Sequence, residues 1–229
     1  MNAALTLAAL SLPNLVSRLP GGVAQGIIWG IMALGVYITF RLLDIADLSV
    51  DGSFATGGAV TVMLILAGYP AYVAIIAAVL AGIVAGMVTG LMHTKLGIPA
   101  ILAGILTQFA LYSINLRIMG MAANKPANPD TYNLIISMRN VPHAILMGAV
   151  IVAAIIALLY WYFGTEQGSA IRATGSNPAM SRAQGININN MKLIGLALSN
   201  GLVALAGGFM AQYQGFADIN MGRGAIVIG

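Results

Sequence analysis

Apolar residues in this chain fall in long unbroken runs, not in an alternating or one-sided pattern. The runs cover residues 23–40, 54–66, 73–92, 98–116, 144–163 and 193–213. A helix needs about 20 apolar residues to cross the hydrocarbon of a bilayer, and a helix apolar on every face must lie in lipid or deep inside protein. Five of the runs are of that order. The run 54–66 is shorter and is expected to enter the bilayer only partway. Pro99 falls in the first turn of its run, where a missing N–H does no harm, and Gly68-Tyr69-Pro70 turns the chain between two runs. The predicted fold is all-α and polytopic, one transmembrane domain over residues 1–229. Residues 1–20 are apolar but interrupted by Pro13, Arg18 and Pro20. They predict an interfacial N-terminal helix and offer no clear signal-peptide cleavage pattern.

Composition agrees. The 229 residues are 59% hydrophobic and 7% charged, against about 25% charged in soluble domains. The formal net charge of +4 comes from basic residues in loops and not from a basic run, which argues against nucleic-acid binding. The chain has no cysteine, so disulfides, thiolate metal sites and a cysteine nucleophile are ruled out.

Three polar stretches interrupt the runs. The longest, residues 165–192, reads as a short helix with turns on either side. Gly168 and Gly175 punctuate it, Asn177-Pro178 suits a helix start and Gly185 a stop. Arg172, Arg182 and Lys192 against Glu166 put it on the cytoplasmic side by the positive-inside bias, together with His93-Thr94-Lys95. The second, residues 119–142, is a Pro- and Asn-rich loop that falls outside the cell by parity. The third, residues 41–53, holds Asp44, Asp47 and Asp51, three of the six acids. Charge at membrane depth is expensive and marks a wet cavity, an internal pair or an interface. Two readings stand here: a cytoplasmic loop with Arg41 paired to Asp44, or a broken membrane helix.

The glycines Gly26, Gly30 and Gly35, and the series Gly82, Gly86 and Gly90, predict close helix packing. Gln108, Ser113 and Asn115 are polar within their run. They either bond neighbouring helices or, for Gln108 and Asn115, line a path.

The stretch Gly168-Ser-Ala-Ile-Arg172-Ala173-Thr-Gly175-Ser-Asn177-Pro178, followed by Gly185-Ile186-Asn187, resembles the cytoplasmic loop of ABC-importer permeases of the branched-chain amino acid and ribose type. The resemblance covers roughly residues 20–229 and is nearest to the branch paired with a periplasmic or lipid-anchored substrate-binding protein. It implies a type II importer-like transmembrane domain in the bacterial cytoplasmic (inner) membrane, with an interrupted helix near residues 41–53. It also implies a homodimer with a second permease copy and two separate ABC ATPase subunits. The loop would be the coupling helix that docks on the ATPase through Gly168, Arg172, Ala173, Gly175, Asn177, Pro178, Arg182, Gly185 and Ile186. Arg172 and Arg182 equally suit plain positive-inside anchoring. The chain would bind no cofactor, the ATP being held by the partner. The implied substrate is a small solute, first an amino acid, aromatic or branched-chain, then a sugar or nucleoside.

A shift of 171 residues aligns Gly30, Ala33 and Leu34 with Gly201, Ala204 and Leu205, and Ala46-Asp47 with Ala217-Asp218. Transporters are often built from two such halves. The repeats are inverted if each intervening run crosses, and parallel if the run after Asp51 only completes a broken helix. The second half stops at Gly229, so the chain is expected to be incomplete at its C-terminus.

Asp47, Asp51, Gln108, Asn115 and Asp218 are the translocation-path candidates. Asp47 and Asp218 equally suit capping of the segment after each break. No phosphate-binding Gly-rich Lys motif, zinc-protease motif or serine-nucleophile elbow is present, so no enzyme chemistry is expected of this chain. The rivals are an ion-coupled secondary transporter or channel using Asp44, Asp47 and Asp218, and a non-transporting scaffold.

Overall fold

A computed structural model describes residues 12–128, 132 and 134–224, with the backbone alone for 12–17. The helices are α1 (Leu12–Tyr37), α2 (Val50–Leu66), α3 (Ala71–Thr94), α4 (Ala100–Ile118), α5 (Val141–Phe163), α6 (Glu166–Ser176), α7 (Pro178–Ala183) and α8 (Ile188–Gln214). A π-helical turn, Ile38–Leu42, continues α1. Among the described residues five helices are long and apolar enough to cross a membrane: Arg18–Leu42, Ala71–Thr94, Ala100–Ile118, Met138–Phe163 and Ile188–Gln214. The helix α2 is too short to be one of them, as its run predicts.

One expectation needs correction. The N-terminal break at Pro13, Arg18 and Pro20 is not there, because α1 is helical from Leu12 with Pro20 inside it. Pro13 falls in the first turn, where no intrahelical donor is lost. Residues 1–11, most of the expected interfacial segment, lie outside the described residues. The fold is all-α and polytopic as expected, with one small addition. Two short strands, β1 (Asn124–Pro126) and β2 (Phe216–Asp218), pair antiparallel with Asn124 opposite Asp218 and Pro126 opposite Phe216.

The bundle is organised around α8. In its most apolar window 67% of residues are buried, against 17% for α5, so α8 is the core helix and α5 a peripheral one. Close approach to α8 is made by glycines. A Cβ on Gly82 or Gly86 of α3 would collide with the backbone oxygens of Asn200 and Leu196, and one on Gly57 of α2 with that of Ala204. In lipid, where burial gives helices little reason to associate, such small-residue contact and interhelical hydrogen bonding hold the bundle. Gly35 of α1 meets Val203 and the Ser199 oxygen in the same way, but Gly26 and Gly30 face open space and do not serve the packing expected of them. An apolar cluster of Ile28, Ile31, Met32, Phe54, Val203 and Phe209 fills the centre, with Trp29 stacked on Phe54 at 5.2 Å between ring centroids.

The ends of the bundle are set by loops. Lys192 Nζ donates to His93 Nε2 at 3.3 Å, so the α3–α4 turn lies at the same end as the polar stretch 165–192. The strand pair lies at the opposite end. There Gln212 Oε1 accepts from the Ile135 N–H at 2.9 Å, tying the long 119–140 connection down over α8. Tyr213 donates to the Gly21 oxygen at 3.0 Å, and Ser199 donates to the Gly35 oxygen at 2.6 Å. Hence α1 and α8 run antiparallel, and the two repeats are inverted. Asp51 and Gly222, equivalent under the 171-residue shift, touch one another: a Cβ on Gly222 would strike the Asp51 oxygen. Contact between equivalent positions is expected close to a pseudo-twofold axis.

Candidate functional site: an interrupted helix, a cavity and a polar elbow

Residues 43–49 are a non-helical turn that enters the bundle and reverses the chain, because α1 runs antiparallel to α8 whereas α2 runs parallel to it, Ser53 meeting Asn200 and Gly58 meeting Ala211. The π-turn ends as the Leu43 N–H donates to the Ile38 oxygen at 3.1 Å. Asp44 turns the chain in the left-handed region at φ 54. The backbone then runs without helix to Ser49 and restarts as α2 beside Asn200, near the middle of α8. Non-helical backbone is tolerated at such depth only where protein or a cavity surrounds it. Here Gly104 of α4 packs against the Leu48 and Ser49 N–H groups.

Asp47 holds the turn closed. It is fully buried. Its Oδ1 accepts from the Ser49 N–H at 2.8 Å and the Ser49 hydroxyl at 2.6 Å. Its Oδ2 accepts from Asn200 Nδ2 at 2.8 Å. Ser53 completes the cluster, donating to Asn200 Oδ1 at 2.5 Å. A buried carboxylate is tolerated only with such saturation. Asp218 repeats the local motif, its Oδ1 accepting from the Asn220 N–H at 2.7 Å, but in β2 at the far end of the bundle and only partly buried. The two aspartates therefore share a turn and not a place.

The other three path candidates do come together. Asp51, Gln108 and Asn115 line one 280 Å³ cavity with Phe109, Tyr112 and Arg223. Gln108 lies near the middle of α4 and its backbone touches Gly52, which puts the cavity at membrane depth. The chain after β2 folds back toward the interior, so that the Gly224 N–H donates to Asp51 Oδ2 at 3.3 Å. Asn115 is 1% exposed, and neither its amide oxygen nor its amide nitrogen has a hydrogen-bond partner. Asp47 and Asp218 do not line this cavity. Arg223 and the aromatic pair were missed from sequence. The polar stretch after residue 213 held the only signal for Arg223, and nothing there indicated that it turns inward.

The polar stretch 165–192 contains two helices, not one. Thr165 caps α6, accepting weakly from the Gly168 N–H at 3.4 Å, and Asn177 caps α7, accepting from the Met180 N–H at 2.9 Å. Pro178 opens α7, and Gly185 closes it at φ 83. Gly168 and Gly175 lie inside α6 and mark close approach instead of punctuation. A Cβ on Gly168 would strike Phe163, and one on Gly175 the Leu42 oxygen. Ala173 and Ile186 are half-buried. Arg172 donates to the Phe163 oxygen at 2.9 Å, satisfying a carbonyl at the end of α5. Asn177, Pro178 and Arg182 are exposed, and Met180 beside them is 57% exposed.

The inner face of the elbow leads directly to this turn. Ile171 of α6 is buried in one cluster with Leu43, Ile45 and Leu196. Gly175 rests on Leu42 two residues before Asp44, and Gly195 of α8 packs on the Leu43 side chain. The exposed face of α7 is thus joined, through α6, to the segment that Asp47 closes.

Multiple spans, inverted halves and irregular backbone held at membrane depth define a multi-pass membrane transport domain. Residues 19–229 match the family model described as branched-chain amino acid transport system / permease component, and the chain belongs to that family. It is 41% identical over 205 residues to the tyrosine transport system permease protein of Clostridioides difficile (strain R20291), covering 90% of this chain and 68% of that one. It is also 37% identical over 207 residues to an uncharacterised protein of Rickettsia prowazekii (strain Madrid E), covering 90% and 71%. No solved structure matches.

Proposed function

We propose that this chain is the membrane permease subunit of an ABC importer for an amino acid, tyrosine or a related aromatic one first. It works as a pair of copies with two ATPase subunits and an extracytoplasmic binding protein. The observation that carries the reading is the continuous packing from the exposed α7, through Ile171 and Gly175, to Leu42 and Leu43. A stroke delivered by an ATPase at α7 reaches the 43–49 turn through packed side chains and not through a flexible tether. On this reading the α6–α7 end is cytoplasmic. The loop architecture supports that sidedness better than charge does: Arg41, Lys95, Arg172, Arg182 and Lys192 lie at that end, but Arg18, Arg117, Lys125 and Arg139 gather at the other, with Arg223 on the segment that follows β2. The substrate assignment rests on the family and on the Clostridioides difficile relative. On this reading the path runs past Asp51, Gln108 and Asn115, which line one cavity.

The test is reconstitution in liposomes with the cognate ATPase and binding protein. Uptake of labelled amino acid that requires ATP, and ATP hydrolysis stimulated by the loaded binding protein, are expected. Uptake by the permease alone, driven by a sodium or proton gradient without ATP, would establish the ion-coupled alternative and overturn the importer reading.

A further inference from the structure

We infer that the groove between α1 and α5, at the α6–α7 end of the bundle, is a binding site for one anionic phospholipid, its phosphate held by Arg172 and Arg41 and an acyl chain lying in the groove. The inference goes beyond the importer reading and does not depend on it, because it needs only that the chain lies in a bilayer.

Leu34, Ile38, Ile156 and Leu159 line this groove of 510 Å³, and Tyr37, Tyr160 and Arg172 border it. From Ile156 to Phe163 it follows α5 for about 10 Å, most of one leaflet of a hydrocarbon core about 30 Å thick. Tyr37, Tyr160 and Trp161 are exposed here, and such rings settle at the headgroup level. They set the depth of Arg172 beside them. One Arg172 N–H is engaged with the Phe163 oxygen, a carbonyl that brings no counter-charge, and four donors of the guanidinium remain. Arg41 is the second cation. It lies one turn after Tyr37, in the π-helical turn whose Ile38 and Leu42 line the groove, and it is exposed. Among the described residues no acid lines the groove and neither arginine is ion-paired. Arginine forks match phosphate oxygens, and basic pockets between transmembrane helices suit anionic headgroups. A soluble anion would satisfy the arginines but leave the apolar groove unfilled. A zwitterionic lipid would fill the groove but bring an ammonium toward two guanidinium groups. A helix of a second copy would bury both charges without an acid, which is costly. A phosphate diester on acyl chains, with no cation of its own, fits both halves. Because Arg172 belongs to α6, whose Gly175 rests on Leu42, the lipid ties the elbow to the membrane plane.

The test offers the full-length permease, in detergent, phosphatidylglycerol and phosphatidylcholine with identical acyl chains, and counts retained lipid by native mass spectrometry. Phosphatidylglycerol is expected to be held at least about 10-fold more tightly than phosphatidylcholine; equal retention overturns the site. This comparison needs no mutation, so misfolding cannot imitate it. Arg172→Gln and Arg41→Gln are each expected to weaken retention about 10-fold, the size of one charged hydrogen bond lost. Lys95→Gln removes an exposed cation at the same end of the bundle but off the groove, and is expected to leave retention unchanged. An equal loss from Lys95→Gln would reduce the preference to general surface charge and overturn the site. Glycerol 3-phosphate carries the phosphate without the chains and is expected not to displace the lipid at equal concentration; displacement would make this a site for a soluble phosphate. The chain has no cysteine, so Tyr160→Cys reports on the remaining occupant. Under oxidation in membranes it is expected to stay uncrosslinked, and a disulfide-linked dimer would put a second copy in the groove in place of lipid.

Discussion

Asn200 Nδ2 donates to Asp47 Oδ2 at 2.8 Å, joining the turn between α1 and α2 to the middle of the core helix across 153 residues of sequence. The same Asn200 nitrogen reaches the Leu196 oxygen at 3.0 Å, and its oxygen takes the Ser53 hydroxyl. The carboxylate and the amide therefore depend on one another for satisfaction. Asp47→Ala is expected to cost about 1–3 kcal/mol through the donors it strands. The double variant with Asn200→Ala is expected to show a coupling of about 0.5–3 kcal/mol. Thermal unfolding followed by fluorescence-detected size exclusion measures it; simple additivity would show that the pair does not hold the turn.

The elbow should be sensitive where its glycine touches Leu42. Gly175→Val has no room against the Leu42 carbonyl and is expected to displace α6, cutting ATP-driven uptake at least about 10-fold while basal hydrolysis by the ATPase persists. A misplacement of about 1 Å in a positioning element is enough for losses of this size. Normal uptake by this variant would mean that the loop works without the Gly175–Leu42 contact.

The two arginines of the elbow should separate. Arg172 donates to the Phe163 oxygen, so Arg172→Ala is expected to lower stability by about 1 kcal/mol. Arg182 is exposed on α7, so Arg182→Glu should leave the melting temperature of the permease unchanged and weaken its association with the ATPase. Titrating the ATPase onto the permease in nanodiscs, at low and high salt, distinguishes the two. Equal loss of association from both would assign them a shared docking role.

Glycines that look alike in sequence should behave in opposite ways. Gly86→Val must push α3 off the Leu196 carbonyl and is expected to cost about 1–3 kcal/mol or prevent assembly. Gly26→Ala and Gly30→Ala meet nothing within 4 Å and are expected to be neutral or to stabilise by up to about 1 kcal/mol through helix propensity. Yield and melting temperature in detergent decide it. Destabilisation by Gly30→Ala would place another helix against that face of α1 in the assembled protein.

How far the chain could be read in advance depended on what kind of information each feature needs. Length and polarity alone located the spans, the short run at α2, the outer connection and the elbow, because membrane solvent demands about 20 apolar residues per crossing and admits polar backbone only at loops or cavities. The caps of α7 were legible for the same local reason: Asn177-Pro178 and Gly185 act within one turn of themselves. Apart from the Gly82, Gly86 and Gly90 face of α3, which does pack on α8, the way each helix faces was not legible. These helices are apolar all round, so no stripe marks an inward side. Only the packed structure could decide that Gly86 is buried and Gly30 open, or that Asp47 is sealed against Asn200 while Asp51, four residues on, lines a cavity with Arg223. Local chemistry is written in neighbouring residues. The depth of a charge and its partner are set by helices meeting across more than 150 positions.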